Sequence, residues 1–169
     1  MSINWRQFEL GILRPTLPAE VEVAVKLVGE TIWHESDQLR ALGQYPRLDG
    51  VDGQTKFYGI FGPGLGISSI EESTWNWMHE KAEDYGDHID FWRIGAAQYQ
   101  DLTWDLRLNV LACRFRYKLD KRPLPKLKDG VKARAAYWNL VYQAIDDQPG
   151  IDKDEQQYIA DALDIPWVK

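Results

Sequence analysis

Between residues 19 and 42 the apolar side chains Val21, Ala24, Val25, Val28, Ile32 and Leu39 recur at the period of a helix and line one stripe of it. Such a stripe must be covered by other helices, and no alternating apolar and polar run of comparable strength competes with it. The expectation is a mainly α chain. Its 169 residues fit one domain, since domains run to roughly 100–200 residues. With 44% hydrophobic residues and eight tryptophans, the chain has material for a single core and too much apolar content for disorder.

Further elements follow from periodicity and capping signals. A short amphipathic piece carries Trp5, Phe8, Ile12 and Leu13 and ends at Arg14-Pro15, with a new helix start signalled by Thr16 and Pro18. The long helix runs from about Ala19 to Leu42. Residues 43 to 67 are rich in Gly, Pro and Asp and read as a long loop, with a small hairpin expected over residues 56 to 66. Ser69 and Glu72 have capping-box spacing for a helix carrying Trp75, Met78 and Ala82. Another helix covers about Thr103 to Leu119 with Leu106, Val110, Cys113 and Tyr117 on its buried face. One more covers about Val131 to Ile145, and a terminal helix opens at Asp152 and Glu155 and ends before Pro166.

Charge narrows the function classes. With 20 Lys and Arg against 26 Asp and Glu, the net charge is −6, which argues against a nucleic-acid binder that must neutralise phosphates. The single cysteine, Cys113, cannot close a disulfide within the chain. No stretch approaches the ~20 apolar residues of a membrane span. The first residues lack the charged and apolar regions of a signal peptide, so work outside the cell would need something else to carry the chain there.

Glu35 is the most informative residue. At ~100° per residue it lies about 20° from position 28 on the helix circumference, so a carboxylate points along the apolar stripe. A weakly solvated carboxyl group resists ionisation and can hold the proton of a general acid. The alternative is a helix-end carboxylate paired with Arg40 or Arg47. His34 and Asp37 fall on other faces and read as solvated.

Other chemistries fail on spacing. His34-Glu35 begins like a zinc-protease motif, but position 38 is Gln. The three histidines have no metal-ligand spacing with Cys113, and Cys113 falls on a buried face where a thiol is inert. The glycine-rich run 59–66 lacks the Lys-Ser/Thr of a phosphate cradle. No metal or cofactor is expected.

Thr31-Ile32-Trp33-His34-Glu35-Ser36, a Glu-Ser pair ending a helix, resembles the catalytic segment of soluble lytic transglycosylases and goose-type lysozymes. The run from Gly64 through Gly66, Ser69 and Glu71 to Thr74 is similar to their G-x-x-G-L-x-Q-x-x-P-x-T segment. Asn109 stands where the family has an Asn opening its next helix, and Ala135-Ala136-Tyr137-Trp138-Asn139 resembles A-A-Y-N. Phage and prophage members are the narrower likeness, through Gly62-Pro63-Gly64-Leu65-Gly66 and Asp105-Leu106-Arg107 with Cys113-Arg114.

The resemblance covers roughly residues 28 to 142, in family order. It implies a lysozyme-like α fold acting on the glycan strand of peptidoglycan. Glu35 takes the general acid role at the bond between N-acetylmuramic acid and N-acetylglucosamine, then serves as base while the sugar's own hydroxyl closes a 1,6-anhydro ring. No second carboxylate is then needed, unlike most glycosidases. A water-activating Glu71, Asp49 or Asp52 would give ordinary reducing ends instead.

Two departures from the pattern matter. The family's Gln is Ser69 here, and the Asn of A-A-Y-N is Trp138. Ser69 reads either as a substrate contact or as a helix N-cap. Glu71 reads as the missing acceptor towards the sugar, a water-activating base or a favourable charge in a helix first turn. Tyr137 reads as a partner of Glu35, a sugar platform or core packing, and Asn109 and Gly66 complete the candidate substrate-binding set. Trp33, Trp75, Trp77, Trp92 and Trp104 divide between sugar platforms and core. The expected function is glycan-strand cleavage by a phage-type enzyme, reaching the wall through a holin or as part of a virion tail, with other virion proteins as partners. The rival is a catalytically silent tail hub, plug or assembly part with the same fold. A third reading is a chitinase-like enzyme on another N-acetylglucosamine polymer.

Overall fold

The computed structural model describes residues 3–39, 65–82, 92–143 and 153–168, and these are mainly helical. The expected hairpin over residues 56 to 66 and the candidate acids Asp49 and Asp52 fall largely or wholly outside the described residues. Among those residues, β pairing is confined to an antiparallel bridge between Leu65 and Ile70.

The chain opens with a helical stretch in three parts: α1 (Trp5–Phe8), a π-helical turn (Glu9–Leu13) and α2 (Arg14–Thr16). Asn4 caps it, its side chain accepting from the Gln7 N–H at 3.0 Å while Gln7 returns the bond to the Asn4 N–H. The expected break at Arg14-Pro15 does not occur, and Thr16 closes this stretch instead of opening the next. Proline has no N–H to donate and crowds the carbonyl four residues back; the wider π-helical turn lets the helix run through it.

The first long helix, α3 (Glu22–Glu35), stops well short of Leu42. Asp37, Gln38 and Leu39 have φ of 47°, 59° and 64°, three successive left-handed residues that no helix can include. Ser36 fixes this reversal. Its hydroxyl donates to the Ile32 carbonyl at 2.5 Å and accepts from the Leu39 N–H at 3.0 Å. Leu39 is buried all the same, reaching the core from the turn. At the other end Val21, assigned to the stripe, is the 60% exposed N-cap.

The remaining helices are α4 (Glu72–Ala82), α5 (Trp92–Ala96), α6 (Leu106–Lys118), α7 (Gly130–Val141) and α8 (Lys153–Asp164), with a 3-10 turn over Tyr99–Thr103 before α6. Asp105 caps α6, accepting from the N–H groups of Arg107 and Leu108 at 2.9 Å each. The expected Ser69 cap of α4 is not made. Ser69 has φ of 48°, whereas an N-cap is extended, and the helix begins only at Glu72.

α6 is the axis of the packing. Val110, Cys113 and Tyr117 face a cluster built with α1, α3, α7 and α8, and Leu108, Leu111, Ala112 and Phe115 face a second cluster with α4 and α5. A helix apolar on both sides must lie between other elements. The one charge in its buried run, Arg114, is paired with Glu20 at 2.9 Å. α3 and α7 are tied by Arg134, which donates to both carboxylate oxygens of Glu30 at 2.7 Å each, with both side chains buried. Burial pushes the Glu30 carboxyl up against the pull of that guanidinium.

Candidate functional site at the end of the third helix

Glu35 is the last residue of α3, and the lock made by Ser36 directs the chain away immediately after it. The carboxylate is half-buried, and its Oε1 accepts from the side-chain amide of Gln143 at 3.1 Å. Gln143 follows directly on Tyr142, the C-cap of α7. The expected position on the apolar stripe is therefore refined: α3 buries Val25, Val28 and Ile32, and Glu35 emerges where that stripe reaches the surface.

The turn 65–70 lies against this helix end. Ser69 donates its hydroxyl to the Glu35 backbone carbonyl at 3.4 Å. Beside it, Ser68 is fully buried and donates both its N–H and its hydroxyl to Asn109 Oδ1, at 3.3 and 2.9 Å. Asn109 donates in turn to the carbonyls of Leu102 at 2.6 Å and Asp105 at 2.9 Å. Three of the four bonds of this buried amide hold backbone and the fourth holds the Ser68 hydroxyl. Tyr99 adds a bond from its hydroxyl to the Ile70 carbonyl at 2.9 Å.

Tyr142 ties α7 to this turn, donating its hydroxyl to the Ser68 carbonyl at 2.5 Å. Burial pushes its phenol well above the ordinary range, and the neighbouring Cys113 and Glu35 push the same way. Burial likewise raises the Cys113 thiol, which packs as an inert neutral group. Three segments singled out in the sequence thus meet through direct hydrogen bonds: Glu35, the turn with Gly66 and Ser69, and Asn109. The fourth segment takes part through residues beyond its motif.

The other candidates stand elsewhere. Tyr137 is buried, stacks on Tyr117 with ring centroids 5.8 Å apart and donates to the Arg122 carbonyl at 3.1 Å, so core packing is the reading that fits its placement. Tyr142, five residues further on, lies about 140° round the helix and is the tyrosine that reaches the site. Glu71 is exposed just before α4. Asn109 and Gly66 shape the turn from within. Trp33 and Trp75 are core, whereas Trp77 is 39% and Trp104 67% exposed.

His34, expected in solvent, is instead packed. Its Nδ1 lies 2.6 Å from Asp161 Oδ2 on α8, and its ring meets Trp138 edge-on at 4.9 Å and Tyr158 at 5.4 Å. The residue before Glu35 therefore clamps the end of α3 to α8. Sequence reasoning missed Ser68, Tyr142 and Gln143. A signal existed for Tyr142, which stands four residues after Trp138 and so shares its face.

No protein-family model, curated protein or solved structure matches the chain. A carboxylate on a rigid helix end, faced by a neutral amide and backed by a buried phenol, can exchange a proton with a bound substrate. Among the described residues no cluster of His, Cys, Asp and Glu could hold a metal ion, and no helix is long and apolar enough to cross a membrane.

Proposed function

We propose that the chain cleaves the glycan strand of peptidoglycan, with Glu35 as general acid and then base. The observation that carries this reading is the convergence on Glu35: Ser69 bonds its carbonyl and Gln143 its carboxylate. These side chains come from parts of the sequence far from α3, and they fix the acid at the surface end of a buried helix. A proton donor must be held within hydrogen-bond reach of the oxygen it protonates, and pre-paid positioning of this kind is a large part of catalytic power.

In the proposed reaction Glu35 delivers its proton to the glycosidic oxygen as the bond to muramic acid breaks. The resulting carboxylate then takes the proton of the sugar's own hydroxyl as the 1,6-anhydro ring closes. Glu35 ends protonated, ready for another strand. Gln143 donates to the carboxylate form and steadies it between the two steps.

The silent structural role keeps one supporting observation, since the Ser69 hydroxyl is directed at backbone. A zymogram on purified peptidoglycan decides between them. Clearing by the wild-type protein and none by Glu35→Gln supports the enzyme; no clearing by either supports the structural role. Mass spectrometry of the released muropeptides then separates anhydro ends from reducing ends, which differ by one water.

A further inference from the structure

Arg116, in the last turn of α6, is held differently from five other arginines of this chain. Arg14, Arg93, Arg114, Arg122 and Arg134 are each paired with a carboxylate. Arg116 instead lies over the ring of Trp77 on α4, with its guanidinium carbon 5.3 Å from the centroid. One nitrogen donates to the Tyr142 carbonyl at 3.5 Å, and among the described residues no carboxylate pairs with it. Trp77 is 39% exposed and Arg116 half-buried, so the pair stands at the surface.

The pair also stands beside the candidate site. Tyr142, whose carbonyl Arg116 holds, is followed by Gln143, which holds Glu35. The phenol of Tyr142 feels both the Glu35 and the Arg116 charge. A guanidinium held over an indole has its fork of donors restrained and available to a planar carboxylate. The chain as a whole carries −6, which repels an anionic polymer, so a local cation at the rim is where an acidic substrate finds attraction.

We propose that Arg116, held on Trp77, forms a subsite for a carboxylate of the peptide stem borne by the muramic acid residue bound near Glu35. This rests on the glycan-strand reading above and adds to it a preference for stem-bearing over bare strands. Recognition is by charge-assisted hydrogen bonding, and Trp77 supplies the platform that orients the cation.

The test compares glycan strands carrying their stems with the same strands after amidase removal of the stems. The wild-type protein cleaves the stem-bearing strands with kcat/KM about tenfold higher, the size of one charge-assisted hydrogen bond. Arg116→Met brings that ratio towards one, Arg116→Lys keeps part of it, and Lys118→Met, an exposed cation two residues away, leaves it unchanged. An undiminished ratio in Arg116→Met, or an equal loss in Lys118→Met, overturns the subsite. Binding of both strands to Glu35→Gln protein, with and without Arg116→Met, reads the same contact without turnover. Binding that depends on Arg116, when the wild-type protein cleaves neither strand, supports the subsite and defeats the cleavage reading. Cleavage with no dependence on Arg116 does the reverse.

Discussion

Asn109 occupies the space that a side chain at position 66 would need: its Oδ1 lies 2.0 Å from where a Cβ on Gly66 would stand. The Leu102 carbonyl is 2.5 Å from the same point, and Gly66 has φ of 72°. Glycine is required there on two counts, backbone angle and room. Gly66→Ala must displace Asn109 and so release Ser68. The expected cost is on the order of 3 kcal/mol, from left-handed strain together with lost buried hydrogen bonds. Urea denaturation measures it, and a loss below about 0.5 kcal/mol would show that the turn is not held this way.

The Glu30–Arg134 pair allows a sharper test of what holds α3 to α7. Removing one partner strands a buried charge, so Arg134→Met should cost about 3–5 kcal/mol. Replacing both, with Glu30→Leu and Arg134→Met together, removes the desolvation penalty along with the attraction. That double variant should regain most of the loss. If the two single changes and the double change are equally destabilising, the pair acts only through its apolar packing.

Helix positions were legible in the sequence wherever the apolar period was strong, as in α3, α6 and α7. Their ends were less so, because an end is set by local bonds that hydropathy does not record. Leu39 continues the stripe of α3 in number, yet it reaches the core through a left-handed turn locked by Ser36, with no Gly or Pro to announce it. α5 and the Tyr99–Thr103 turn were missed because each is only five residues long and shows no period. In the site, Glu35, Gly66, Ser69 and Asn109 were singled out from motif order. Gln143 lies just past the end of α7, outside any periodic face, and its contact with Glu35 spans 108 residues of sequence. His34 was misread because only the packing of α8 onto α3 covers it.

Alkaline pH should destabilise the fold in a predictable window. Burial holds the phenols of Tyr117, Tyr142 and Tyr158 well above their ordinary value near 10. The folded chain therefore keeps protons that the unfolded chain releases. This stabilisation is fully present below about pH 10 and is lost as pH rises above it, by about 1.4 kcal/mol per pH unit for each group. Cys113, raised in the same sense, starts the decline nearer pH 9. Urea midpoints at pH 8, 10 and 11 should fall in that order. Tyrosinate absorbance from these three should appear only with unfolding, and early ionisation at constant stability would contradict their burial.

Glu35→Gln is expected to remove activity and leave the fold intact. The amide is nearly isosteric with the carboxyl group, and its carbonyl oxygen can still accept from Gln143 Nε2, which lies 3.1 Å from Glu35 Oε1. The bonds to the Glu35 backbone do not involve the side chain at all, so Ser69 stays in place. A melting temperature within a few degrees of wild type follows. What the amide cannot do is give up a proton, so the rate should fall by at least the ~10²–10⁴-fold typical of a lost general acid. Were Glu35 only a structural carboxylate, the same change would act on stability and spare dye release from stained peptidoglycan. Melting curves and dye-release rates on the two proteins separate these patterns, and near wild-type clearing by the Gln variant would remove Glu35 from the chemistry.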